Sequence, residues 1–181
     1  MSRRLLIMRH AKSSWDQPTL SDFQRPLANK GLRDAPRMGS WLFAQQQIPD
    51  HIVSSPAQRA RQTTLMVCES LGVEETKITW NPAIYNADLD DLLAVLASVP
   101  AQSNLTMLVG HNPGLEFLFT FLWGRSHDTG WKIEGSGDAE LIKTATMVLL
   151  NLPEDWSRLT PGCGSVLWIK HPKEVMNEGQ E

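Results

Sequence analysis

The chain has 181 residues, of which 41% are hydrophobic and 20% charged, and a net charge of −3. That length suits one domain with a proper core, and the composition excludes disordered, fibrous and disulfide-rich classes. The slight acidity excludes a global pull toward nucleic acid or anionic membrane, so any anion site has to be assembled locally.

The N-terminus, MSRRLLIM, carries two arginines, but its apolar run is too short for a signal sequence and leads into the charged RHAK. Residues 3–8 form an expected buried strand, which ends at Arg9 and His10. Segment 29–47 has helical spacing, with Pro36 expected in its first turn or at a kink. A second strand is expected at 51–54. Beyond it, Ala57, Ala60, Thr64, Val67, Cys68 and Leu71 recur at helical spacing. Ser55 before Pro56 is a natural cap for that helix, and Gly72 closes it.

A third strand is expected at 77–80. Asp88 and Asp91 form a capping pair ahead of LLAVLASV. A fourth strand, 105–109, leads to Asn112-Pro113, which repeats the cap-then-proline start for GLEFLFTFLW. That helix is apolar all round and is expected inside. It is also about half the length a membrane span needs. TATMVLLNLP and GSVLWIKH then form strands across a hairpin loop, and HPKEVMNEGQE has the composition of a frayed tail.

The expected fold class is therefore α/β, a three-layer sandwich with a mostly parallel central sheet flanked by helices and completed by the C-terminal strands. Residues 1–172 form one domain and 173–181 a tail. Cys68 and Cys163 lack any motif spacing and read as two reduced thiols of a cytoplasmic protein. Ligands of such sheets bind at the carboxyl ends of the strands.

Three of those ends carry unusual residues. Arg9-His10 follows the first strand. SSPAQRARQT follows the second and puts Arg59 and Arg61 in the first helical turns. GHNPG follows the fourth, with His111 just before a helix N-terminus. Each junction alone has a bland reading, as a structural histidine or a solvated arginine. Three on one sheet converge on one crevice, where helix N-termini add backbone donors, and that combination suits a phosphate. Zinc on His10 and His111 is disfavoured, because no Cys, Asp or Glu stands at ligand spacing and Arg9 would repel a cation. His51, His127 and His171 read as incidental.

RHAK after a strand, then SSPAQRARQT, then GHNPG resemble the signatures of the histidine phosphatase (phosphoglycerate mutase-like) superfamily. The short chain and RPL soon after RHAK resemble its SixA-type branch of phosphohistidine phosphatases. The resemblance implies that His10 is a transiently phosphorylated nucleophile, that Arg9, Arg25 and Arg59 bind phosphate, and that His111 binds the phosphoryl oxygens. Arg61 matches no family position. The resemblance further implies no cofactor, and as partners inorganic phosphate and a phosphohistidine-carrying protein, a phosphotransfer domain or phosphocarrier of signal transduction.

Ester-cleaving members of the family carry a glutamate shortly after the third strand. Here Tyr85 and Asn86 stand in that stretch, which favours P–N bonds or activated esters over alkyl esters. Asp22, shortly before Arg25, matches an aspartate of the SixA branch that could serve as a weaker proton donor. Trp15, Leu20 and Phe23 fit either a rim around the crevice or the core. Two alternatives stay open from sequence: a general or small-molecule phosphomonoesterase of the same superfamily, and a silent phosphate-binding module.

Overall fold

The computed structural model describes residues 3–124 and 141–178. The glycine-rich stretch 125–140, with His127, lies outside them. β1 (Arg3–Arg9), β2 (His51–Ser54), β3 (Ile78–Trp80) and β4 (Leu105–Gly110) are joined by helices, and β5 (Met147–Leu152) and β6 (Ser165–Lys170) follow. The strand order is β3-β2-β4-β1-β5-β6. β1 to β4 run parallel, while β5 pairs antiparallel with both β1 and β6.

Alternation along the strands splits the core into two layers. Leu6 and Met8 of β1, with Met107 and Val109 of β4, pack against α1 (Asn29–Ala44) and α2 (Gln58–Leu71). Leu5 and Ile7, with Leu108, pack against α3 (Leu89–Ala97) and α4 (Gly114–Trp123). Because both faces are covered, the central strands are continuous apolar runs. The expected three-layer sandwich is thus the observed one. No described helix is long and apolar enough to cross a membrane, and both cysteines are free thiols.

Several local expectations shift. Pro36 lies in the interior of α1 rather than in its first turn. α2 begins at Gln58 rather than at Pro56. Its cap position is Ala57, because the Ser55 hydroxyl is turned toward His111. Asn112 does not cap α4 either: its amide donates to the Ile142 carbonyl at 2.9 Å, across a cis bond to Pro113. α4 is not wholly interior, since Phe117 is 54% exposed. The expected tail carries a short helix, α5 (Pro172–Glu178), whose Val175 packs on the α1–α2 layer. Gly72 closes α2 in the left-handed region (φ 68°), and Asp88 with Asp91 caps α3, both as expected.

α1 meets the loop after β1 at Gly31, where a Cβ would collide with the Lys12 carbonyl oxygen. That carbonyl cannot easily move, because it accepts from the Ala28 N–H at 2.8 Å. Alanine in a helix gains about 1 kcal/mol over glycine, whereas overpacking costs about 1–3 kcal/mol. The clash should win: Gly31→Ala is expected to lower stability by about 1–2 kcal/mol in denaturant titration. A stabilised variant would show that the loop yields.

Candidate active site

The β1–β4 pairing sets the site. Arg9 stands opposite Gly110, so the residues that follow, His10 and His111, leave the sheet side by side. Their rings lie 5.1 Å apart, tilted by 53°. His10 is buried, and its backbone N–H donates to the Gly110 carbonyl at 3.1 Å. Arg9 donates through Nη1 to the Ile142 carbonyl at 3.0 Å, the same oxygen that receives Asn112.

Both nitrogens of His10 are assigned by their neighbours. Nδ1 lies 2.7 Å from the Ala11 carbonyl oxygen, which can only accept, so Nδ1 carries the proton. Nε2 accepts from the Arg59 Nε–H at 3.3 Å and therefore holds the lone pair. Burial holds the imidazole down at about 3. The Ala11 carbonyl pulls the other way, and the charges of Arg59 and Arg9 reinforce burial. His111 is held at about 4, again by burial first and then by Arg59. Both rings are neutral at pH 7.

The second junction delivers Arg59 from the first turn of α2. Thr63 ties that turn to the first junction: its hydroxyl donates to the Arg59 carbonyl at 2.7 Å and accepts from the Ala11 N–H at 3.0 Å. Arg59 is buried, whereas Arg61 points away. Arg61 pairs with Glu75 at 3.0 Å and lies over the Trp80 ring at 4.4 Å.

The 10–28 loop folds back through a Ser13–Leu27 bridge and brings a third element over the histidines. Arg25 is buried there, donating to the Ser13 hydroxyl at 2.6 Å and the Ser14 carbonyl at 3.1 Å, with Trp15 stacked on its guanidinium. The Asp22 carboxylate bridges Arg25 at 2.9 Å, Arg59 at 3.0 Å and the Tyr85 hydroxyl at 2.8 Å. Partial burial pushes this carboxyl up, but the three hydrogen bonds outweigh it and hold it at about 2.

Arg9, His10, Asp22, Arg25, Arg59 and His111 are therefore brought together, and Arg61, His51 and His171 are not. Sequence reasoning missed two participants. Ser55, read as a helix cap, places its hydroxyl 2.8 Å from His111 Nε2. Tyr85, noted only as the residue replacing a glutamate, binds Asp22 and stands edge-on to His111 at 5.5 Å and to Phe23 at 5.0 Å. It is the only tyrosine of the chain, a signal that a polar aromatic was being held somewhere specific.

The chain is similar to known proteins in both sequence and fold. Residues 5–92 match the model of the histidine phosphatase superfamily, branch 1. An uncharacterized chloroplastic protein of Arabidopsis thaliana is 36% identical over 70% of this chain, which spans 62% of that relative's length. Among solved structures, a protein provisionally named phosphohistidine phosphatase SixA from Nakamurella multipartitia superposes with a TM-score of 0.76. It is 27% identical, over 95% of this chain and 97% of its own. A similarly named protein from Agrobacterium tumefaciens matches at TM-score 0.76 and 25% identity, over 95% and 99%. By motif order, fold and these matches, the chain is similar to the histidine phosphatase superfamily and, over nearly its whole length, to structures named SixA.

Proposed function

We propose that the protein is a phosphohistidine phosphatase acting on a phosphorylated histidine of a partner protein in the cytoplasm. The observation that carries the reading is the state of His10: a neutral imidazole with its proton on Nδ1 and a lone pair on Nε2, within reach of the charges of Arg59 and Arg9 and beside a second imidazole.

His10 Nε2 attacks the phosphorus while Nδ1 keeps its proton on the Ala11 carbonyl. The bond from phosphorus to the substrate nitrogen breaks, and the substrate imidazole leaves neutral if its other nitrogen carries a proton. Water then attacks the phosphorus, the bond to His10 Nε2 breaks, and inorganic phosphate departs with a neutral His10 restored. Arg9, Arg25, Arg59 and His111 are the groups we assign to the equatorial oxygens, whose charge this chemistry must neutralise. Arg59 would exchange its bond to His10 for one to the phosphate.

The substrate class follows from the lack, among the described residues, of a carboxylic acid at the family's glutamate position. Tyr85 and Asn86 stand where the family has its glutamate, and Tyr85 stays protonated, its hydroxyl pushed up by burial and by Asp22. Asp22, the expected weak proton donor, holds no proton at neutral pH with its carboxyl at about 2. We assign it instead as the counter-ion that keeps Arg25 and Arg59 in place. Imidazole needs no acid to leave, whereas an alkoxide does. An exposed Trp15 against Arg25 supports a macromolecular substrate.

The test compares phosphate release from a phosphohistidine protein, para-nitrophenyl phosphate and 3-phosphoglycerate. The order of rates should be as written, with His10→Ala inactive on all three. Fast 3-phosphoglycerate turnover would overturn the P–N assignment, and an active His10→Ala would overturn the nucleophile.

The arginines give a second test. Arg59→Ala should slow the chemical step by about 10²-fold or more, as for a preorganised charge on the transferring group. Arg61→Ala, which touches only Glu75 and Trp80, should do far less. Equal losses in single-turnover kinetics would refute the assignment of Arg59.

Burial of the neutral imidazoles also couples folding to pH. As pH falls, the unfolded chain protonates at 6.5, while folded His10 waits until about 3 and folded His111 until about 4. The unfolded state binds more protons throughout that window, so stability falls on acidification below 6.5. At pH 5 each imidazole removes up to about 2 kcal/mol. The melting temperature should drop between about pH 7 and 5, and less in His10→Asn than in wild type. Equal drops would show that His10 is not held neutral by the fold.

A further inference from the structure

His111 presents a protonation question that its assignment as an oxyanion ligand leaves open. A neutral imidazole has one N–H, and only that nitrogen can donate to an anion. Nε2 is taken by the Ser55 hydroxyl at 2.8 Å. Nδ1 is buried and has no hydrogen-bond partner among the described residues.

Counting protons decides between the two tautomers. The Ser55 hydroxyl is fully buried and already accepts from the Ala57 N–H at 3.3 Å. If His111 carried its proton on Nε2, Ser55 would accept from it as well. The serine's own proton would then have no acceptor among its observed neighbours, and Nδ1 would present an unused lone pair. If the proton is on Nδ1, Ser55 donates to Nε2 and every group of the serine is satisfied. Only the Nδ1–H then lacks a partner. One orphan is cheaper than two, since each buried unsatisfied group costs about 1–3 kcal/mol.

We propose that Ser55 is a positioning residue that locks His111 as its Nδ1–H tautomer, so that the one unsatisfied donor is the one offered to an anion beside His10. The site then holds two imidazoles in the same tautomer for opposite purposes. On His10 the Ala11 carbonyl binds the Nδ1 proton and frees Nε2 to attack. On His111 the Ser55 hydroxyl occupies Nε2 and frees the Nδ1–H to bind. An oxyanion oxygen that reached Nδ1 would satisfy that donor, whereas the opposite tautomer would face the same oxygen with a lone pair. The anion-binding half rests on the phosphatase reading, but the tautomer does not.

Long-range proton–nitrogen correlation spectra of the ¹⁵N-labelled full chain near pH 7.5 read the tautomer of each histidine directly. For His111 we expect the protonated signature on Nδ1 and the lone-pair signature on Nε2. In Ser55→Ala, His111 should move toward the Nε2–H form that free imidazole side chains favour. His10, held by Ala11, should keep its tautomer and so report an intact site. Vanadate should bind Ser55→Ala about tenfold more weakly than wild type, the scale of one compromised buried hydrogen bond.

A wild-type His111 protonated on Nε2 would overturn the proposal, whether or not the variant folds. So would a Ser55→Ala spectrum in which His111 is unchanged. A wild-type protein with His111 on the expected tautomer but no affinity for vanadate would overturn the anion-binding half, and the phosphatase reading with it. The serine–histidine lock would then stand alone.

Discussion

The parallel pairing of β1 with β4 is the constraint on which the site depends. With Arg9 opposite Gly110, the two strands end at the same height, and the next residue of each is a histidine. A shift of one residue in that register would turn the apolar side chains of β1 to the wrong layers. Leu6 and Met8 on one side, and Leu5 and Ile7 on the other, therefore hold the imidazoles together from a distance. The pairing of β2 with β4 extends the alignment to Ser55, which donates its N–H to the Val109 carbonyl at 3.0 Å.

Concentrating cations beside histidines in a buried site has an electrostatic consequence. Arg9 and Arg59 would repel an imidazolium, and burial already disfavours it, so both rings are kept neutral. Arg59, and Arg25 beside it, find a counter-ion in Asp22 of the 10–28 loop. One carboxylate thus links α2, the loop and Tyr85. It engages the guanidinium groups that we assign to phosphate, so an incoming anion would compete with a group of similar charge and geometry. Arg25 is anchored independently of Asp22 by Ser13 and Ser14.

Small polar residues near the junctions hold these charges in place. Thr63 joins the turn of Arg59 to the loop of His10 through one hydroxyl. The Ile142 carbonyl receives both Arg9 and Asn112. Ser55 and Asn112, capping residues by sequence pattern, bond His111 and the Ile142 carbonyl instead. A helix N-terminus leaves donors that other groups or water can satisfy, so its capping side chain is the one most easily diverted.

Periodicity determined most of the fold by itself. The four parallel strands, the hairpin, the α3 capping box and the left-handed close of α2 are local patterns, in which apolar spacing and turn chemistry act over a few residues. The gathering of Arg9, His10, Arg59 and His111 at one sheet end was also legible, because carboxyl ends of parallel strands share an edge. The tertiary structure alone decided the partners of Asp22, the place of Tyr85, the diversion of Ser55 and the packing of α5. Asp22 and Tyr85 are 63 residues apart and meet only once the loop and the sheet are assembled. A hydroxyl or carboxylate bonds whatever the folded chain sets within about 3 Å, and no local pattern encodes that neighbour.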